Sequence, residues 1–429
     1  MSRLKVLMLG WEFPPVLTGG LGTACYGLVK ALSKYADVQL IIPQADRNTQ
    51  IENVKIKGLN YYGVSGEQSI EVPEQPLEEF ARVKKVPAEF SNPYPVGIGF
   101  AKEAKALVAP EAIRALYSSV EPYGPNIMQK VATYAEVVSR MALEMDFDVI
   151  HAHDWITYPA AVRIKEMTGK PLVVHVHSLE TDRVGEKAKG DWNRVFEVEL
   201  KGMQKADRVI PVSRYTQDCA TEHYGIAEEK FYPVHNAIDP AETFRVPNLS
   251  GEKLVLFLGR VTFQKGPEFM VETAYKLLQV YPNVMFFVAG VGDMMDDLKK
   301  KVLERGIDHK FVFAGFLSKT NVRKILAQAD VYFMPSVSEP FGLSALEAAQ
   351  FDVPCVISRQ SGVAEVLPNA LNADFWDTET FANYIYGLLN YEGIRKDMVN
   401  RTRKDIAQLT WDDSARDVME VYESIPGLG

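Results

Sequence analysis

Short apolar runs alternate along this chain with longer segments whose apolar residues recur at helical spacing, the pattern of repeated parallel α/β units. The runs that predict strands are Lys5–Leu9, Val38–Ile42, Val149–Ala152, Leu172–Val176 and Arg208–Val212. A second series follows at Leu254–Leu258, Met285–Ala289, Phe311–Phe313, Val331–Met334 and Pro354–Ile357. Several are uninterrupted Val, Ile, Leu and Phe, as strands covered by helices on both faces must be. Two series of five predict an α/β protein with two doubly wound Rossmann-like domains. Periodicity stops at Ala241–Lys253, where Pro, Asn, Ser and Gly cluster, so the domains are expected at 1–245 and 246–405. Residues 406–429 hold a last helix, about Trp411–Glu423, able to pack back on the first domain. An insertion over about 45–124, rich in Pro, Tyr and Glu, interrupts the first series.

The length of 429 residues agrees with two domains, because single cores stop growing at roughly 250–300 residues. A net charge of -9 argues against a nucleic-acid partner, since phosphate backbones demand a basic surface. The three cysteines, Cys25, Cys219 and Cys355, are widely spaced and odd in number, which suits a reducing compartment rather than a disulfide framework. The first apolar run is too short for a signal-peptide core, and no stretch reaches the roughly 18 apolar residues of a spanning helix. The expectation is a cytoplasmic protein without a transmembrane segment. The sequence is silent on oligomeric state.

Candidate chemistry gathers where predicted strands end. After Lys5–Leu9, the glycines Gly19, Gly20 and Gly22 precede a helix with Leu21, Cys25, Leu28 and Leu32 on its apolar face. Such a turn either serves a backbone conformation alone or lets N–H groups approach an anion. The glycines lie too far from the strand for a dinucleotide fingerprint. Gly290 and Gly292 do follow a strand directly, but the third fingerprint position is Met295. The pairs His151, His153 and His175, His177 close two strands, and strand alternation puts both members of each pair on one face. They read as a metal site, as a polar pocket for sugar hydroxyls, or as satisfied core residues. Asp154 is placed to orient a histidine or a substrate hydroxyl.

After Leu254–Leu258 comes Gly259-Arg260-Val261-Thr262-Phe263-Gln264-Lys265-Gly266. The two cations read either as solvated loop charges or, with Gly259 and Gly266 letting the loop lie close to a ligand, as fixed Arg and Lys that neutralise a departing diphosphate in place of a metal. The segment from Pro335 to Ala349 opens another helix, whose first N–H groups near Gly342 and Ser344 favour a phosphate. Ser344 and Glu347 fit a capping box, so Glu347 reads as a cap or a ligand. Glu339 lies outside the helix and has no cap role. As a glycosidase pair, Glu339 and Glu347 are only weakly disfavoured, because eight helical residues would span about 12 Å but the loop between them changes that distance.

An E-x7-E element with an internal E-P-F-G-L, preceded by G-R-x-x-x-Q-K-G, a Gly-rich first loop and H-A-H-D-W, resembles the retaining glycosyltransferases of GT-B fold. The resemblance covers nearly the whole chain. H-A-H-D-W and the first loop look most like bacterial and archaeal glycogen (starch) synthases; Glu339 with Glu347, and His177-Ser178-Leu179, look more like sucrose-phosphate synthases and lipid glycosyltransferases. The resemblance implies domains facing across a cleft, with Arg260 and Lys265 on the donor diphosphate. It implies Glu339 near the transferred sugar's 3- and 4-hydroxyls and Glu347 on the ribose. Phe341, Gly342 and Leu343 would meet the distal phosphate, approached by Gly19 and Gly20 from the other domain. His177 would contact the 6-hydroxyl, and Asp154 sugar or acceptor. Base contacts would come from around Gly290 and Phe316. One departure is Leu17, where glycogen synthases usually carry lysine before Thr-Gly-Gly.

These implications describe a metal-independent, retaining hexosyltransferase that needs no cofactor beyond its nucleoside-diphosphate-sugar co-substrate. The expected reaction carries glucose from ADP- or UDP-glucose to an α-glucan. The alternative is the same chemistry on a lipid, a surface polysaccharide or a sugar phosphate. His153, Tyr123 and Asn126 are candidates for the acceptor side, with Asn92, Pro93 and Tyr94 of the insertion. A remote alternative is a metal-dependent hydrolase built on the histidine pairs; only His223, His235 and His309 remain to complete it.

Overall fold

A computed structural model describes residues 3–17, 19–64, 67–73, 105–118, 123–124, 126–185, 193–246 and 251–428. Asn92, Pro93, Tyr94 and Pro125 lie outside the described residues.

The first parallel sheet contains β1 (Lys5–Leu9), β2 (Asp37–Ile42), β3 (Val54–Gly58), β6 (Val149–His153), β7 (Leu172–Val176) and β8 (Arg208–Pro211), in the order β3-β2-β1-β6-β7-β8. Between β3 and β6 the insertion forms a separate antiparallel pair, β4 (Ile70–Pro73) with β5 (Lys105–Val108). The second sheet contains β9 (Lys253–Leu258), β10 (Val284–Ala289), β11 (Phe311–Gly315), β12 (Val331–Met334), β13 (Cys355–Ser358) and β14 (Leu371–Ala373), in the order β11-β10-β9-β12-β13-β14. Every pairing within the two sheets is parallel. These are two Rossmann-like domains, each with its strand order reversing beside its first strand.

Each sheet has six strands where the apolar runs predict five. The additions, β3 and β14, are edge strands. In β3 the sequence Val-Lys-Ile-Lys-Gly turns Lys55 and Lys57 to solvent. β14 is only Leu-Asn-Ala. Edge strands are short and charged because an exposed apolar edge invites mispairing, so they lack the continuous apolar run. Central strands such as β6, β7, β12 and β13 are buried along their whole length.

The chain passes between domains near residue 240 and anchors at once. The Arg245 guanidinium donates to the carbonyls of Leu326, Phe351 and Ala329, and Val246 N–H donates to Ala327 O. The C-terminal helix, Trp411–Glu423, lies on the first domain against the helix Gly20–Leu32. Trp411 packs directly over Gly27, where an added Cβ would come within 2.2 Å of the indole. From the far end of this helix Tyr422, fully buried, reaches His151 in the middle of β6.

Candidate functional site

The carboxyl ends of both sheets face one cleft. On the second domain, the turn after β9 carries Arg260, which is exposed, and a 3-10 turn, Phe263–Lys265. Gly266, at φ 61°, lets this turn pass so close to the chain after β12 that a Cβ would come within 2.2 Å of Pro335 O. Val337 N–H then donates to Gln264 O at 2.9 Å. The two loops are tied together, and their side chains meet: the Lys265 ammonium pairs with the Glu339 carboxylate, which also accepts from Ser336 Oγ at 3.4 Å. Glu339 is held by its backbone as well, donating to Gln360 O at 2.8 Å and accepting from Gly362 N at 2.9 Å. With only 6% of its surface exposed, Glu339 is a buried carboxylate whose charge is matched by one lysine.

The helix Leu343–Gln350 begins four residues later, capped by Gly342 at φ 106° with no side-chain cap. The capping-box reading of Ser344 and Glu347 is therefore corrected. Ser344 lies inside the helix and its hydroxyl bonds that of Tyr332 at 2.7 Å, because the αL glycine starts the helix two residues earlier. Glu347 is left without that role; burial raises its pKa, opposed by Lys319. Leu343 packs against both domains, and a Cβ on Gly20 would come within 3.7 Å of its Cδ1. The glycine turn of the first domain thus meets the helix start of the second. Phe341 is buried in the second-domain core beside His235, so only its backbone is available at this helix start. Phe316 is 73% exposed after β11, one residue from Gly315, whose carbonyl accepts from Gly290 N at 2.8 Å.

On the first domain Asp154 follows β6 at φ 60°, a left-handed conformation that Asp tolerates better than most residues. Its Oδ1 accepts from His177 N at 2.7 Å and Ser178 N at 3.3 Å. Burial nevertheless pushes its pKa up to about 6, against the pull of Arg183 and those two N–H groups. If the ionised form is the working one, kcat/KM is expected to fall about tenfold from pH 7 to pH 5, since a raised carboxylate pKa means charge is lost as pH falls through about 6. Asp154→Asn keeps a residue suited to the left-handed turn and should give a lower, flat profile. An unchanged acidic limb in that variant would assign the titration to another group.

The four histidines stack as a ladder, with ring centroids 4.4–5.3 Å apart. His151 and His153 are fully buried and His175 nearly so. His153, an acceptor-side candidate, bonds His177 Nε2 through its Nδ1 at 2.8 Å. Only His177 is half-buried. Burial lowers the pKa of all four, taking His153 down to about 3. His151, His153 and His175 bring ring nitrogens within 4.8 Å of one another. Their planes lie within 21° of parallel.

The apolar pattern leaves three participants unflagged. Glu12, buried in Trp-Glu-Phe-Pro-Pro, accepts from Gly19 N at 3.2 Å and from the Tyr123 hydroxyl. A charged residue in an otherwise apolar loop just after a strand was the available signal. Gly22 makes room for it, since a Cβ there would lie 2.9 Å from Glu12 Cβ. Tyr123, 39% exposed, lies close enough to Asp154 and Arg260 to feel both charges. Asn126 is exposed at the start of the helix Ile127–Ala142. The other two are Asp182, whose Oδ1 accepts from Ser338 Oγ at 2.6 Å, and Tyr215, bonded to the same hydroxyl at 2.9 Å. They connect the first domain to the residue beside Glu339, a contact no sequence spacing contains.

A two-domain parallel-sheet architecture, with a cationic and an acidic loop of the second domain paired at the interdomain cleft, is that of a GT-B glycosyltransferase. This chain is one: residues 240–405 match the family of Glycosyl transferases group 1, and residues 100–242 match Glycosyltransferase Family 4. It is 28% identical to an uncharacterized glycosyltransferase of Methanocaldococcus jannaschii, over 98% of both chains. It is 26% identical to a glycogen synthase of Mycobacterium tuberculosis, over 85% of this chain and 80% of that one. The fold resembles the catalytic domain of starch synthase IV from Arabidopsis thaliana, solved with ADP and acarbose, at a TM-score of 0.68 and 16% identity over 98% and 99% of the two chains. Among the described residues, no helix is long and apolar enough to cross a membrane.

Proposed function

We propose that the protein transfers glucose, with retention, from ADP- or UDP-glucose to an α-glucan. The observation that carries this reading is the meeting of Lys265 and Glu339 beside a helix N-terminus that faces the Gly20 turn across the cleft. Arg260, Lys265 and the first N–H groups of the helix Leu343–Gln350 supply the positive potential a departing diphosphate needs, without requiring a divalent cation. Glu339 and His177 hold the sugar, and Asp154 a hydroxyl of sugar or acceptor. Glu347, Gly290 and Phe316 hold the nucleoside. Retention follows from attack on the face the diphosphate leaves, with the departing phosphate taking the acceptor's proton. The protein then contributes positioning and charge stabilisation. The glycogen synthase among the relatives supports an α-glucan acceptor.

A donor panel tests this directly. The purified protein is expected to release ADP or UDP from the matching nucleotide-glucose when glycogen is present, with an α-linked product by NMR. No nucleoside diphosphate released from any donor would overturn the assignment. Release with lipid or sugar-phosphate acceptors but not glycogen would keep the reaction and replace the acceptor.

A further inference from the structure

The histidine ladder joins the C-terminal helix to the candidate sugar site, and its hydrogen bonds have a direction. Tyr422 is fully buried, and its hydroxyl meets His151 Nδ1. A buried phenol that accepted from His151 would leave its own proton without an acceptor, a cost the opposite polarity avoids. Tyr422 therefore donates, and His151 Nδ1 accepts. All four rings are kept neutral by burial, so each carries one N–H and one lone pair. His151 must then carry its proton on Nε2, which lies 3.2 Å from His175 Nδ1 and donates to it. That puts the His175 proton on Nε2.

His175 Nε2 and His153 Nε2 are both buried without a protein partner, in neighbouring rings 5.0 Å apart. A buried polar atom left unpaired is costly, and a water between polar groups is the usual remedy. One water accepting from His175 Nε2–H and donating to His153 Nε2 satisfies both. His153 then carries its proton on Nδ1, which donates to His177 Nε2 at 2.8 Å. His177, the only half-buried member, is left with Nδ1–H as its free donor at the cleft.

We infer that the Tyr422 hydroxyl, on a helix outside the cleft, sets the tautomer of His177 through His151, His175, a bridging water and His153, so that His177 presents an Nδ1–H donor to the sugar. Tyr422, His151, His175 and His153 are positioning residues. The last clause rests on the proposed role of His177; the tautomer chain does not.

Selective 15N-histidine labelling of the full chain, with long-range proton–nitrogen correlation, tests the chain without substrate. In the wild-type protein His177 and His153 are expected as Nδ1–H forms, and His151 and His175 as Nε2–H forms. Tyr422→Phe keeps the ring and removes the donor, and should shift a substantial fraction of His177 to Nε2–H. Transfer should then fall about fivefold to tenfold in kcat with donor KM within about twofold, as expected for one misdirected neutral hydrogen bond. A wild-type His177 protonated on Nε2, tautomers unchanged in Tyr422→Phe, or one tightly held zinc ion per chain by metal analysis would each overturn the inference. If Tyr422→Phe does not fold, the wild-type tautomers alone decide. Correct tautomers in a protein that transfers no sugar would refute the proposed function and leave the relay standing.

Discussion

Replacing Lys265 with alanine is expected to lower the rate of sugar transfer by at least about 10²-fold, the typical effect of deleting one preorganised donor at a developing negative charge. Two losses combine. The diphosphate loses the ammonium that offsets its charge, and Glu339, only 6% exposed, loses its cationic partner. An unmatched carboxylate there repels the leaving group as well as failing to orient the sugar. The second loss makes a specific prediction for the double variant. Lys265→Ala should cost less in a Glu339→Gln background than in the wild type, because residues in contact are not additive. Initial rates of nucleoside-diphosphate release in the four proteins measure this, with thermal unfolding to confirm that each is folded. A near-wild-type rate in Lys265→Ala would remove the basis of the proposed chemistry.

Gly290→Ala is expected to destabilise the second domain by about 2–4 kcal/mol and to abolish most activity with it. Gly290 follows β10 at φ 148°, and a Cβ built there would lie 1.8 Å from Gly259 O. That oxygen belongs to the peptide leading into Arg260, so the clash is backbone against backbone and no rotamer relieves it. The substitution must push the Arg260 loop away from the rim or unfold the strand ends. Gly169→Ala is the control. It also has positive φ, 69°, but has no atom within 4 Å of the added carbon, and should cost only about 1 kcal/mol. Urea unfolding followed through separate probes for each domain distinguishes them, since a two-domain chain need not unfold in one step. Equal effects of the two substitutions would mean that the close approach to Gly259 is readily relaxed.

The same pair of glycines shows how far the chain itself can be read. Gly290 and Gly292 look in sequence like a broken dinucleotide fingerprint; in the fold they let the β10 loop press against the backbone of residues 259–261. Glycine spacing reports that something approaches closely, but a ligand phosphate and a neighbouring peptide leave the same trace. The histidines pose the same difficulty. Period-two spacing put each pair on one face, and β6 and β7 do lie side by side with His153 opposite His175. Depth along the strand is not a periodic property, so the spacing could not tell the buried His153 from the half-buried His177.

What the sequence determined by itself was the alternation of buried strands and amphipathic helices, and hence two parallel sheets. It also determined which loops carry charge at their carboxyl ends. Local periodicity and local composition are enough for both, because burial on two faces demands continuous apolar runs. Only the tertiary structure decided which charges meet. The Lys265–Glu339 pair spans 74 residues, Ser338 and Asp182 are 156 apart, and Tyr422 and His151 are 271 apart. Contacts of that range depend on how two sheets and a returning helix pack, and packing is settled by shape and buried area summed over the whole molecule rather than by any spacing along the chain.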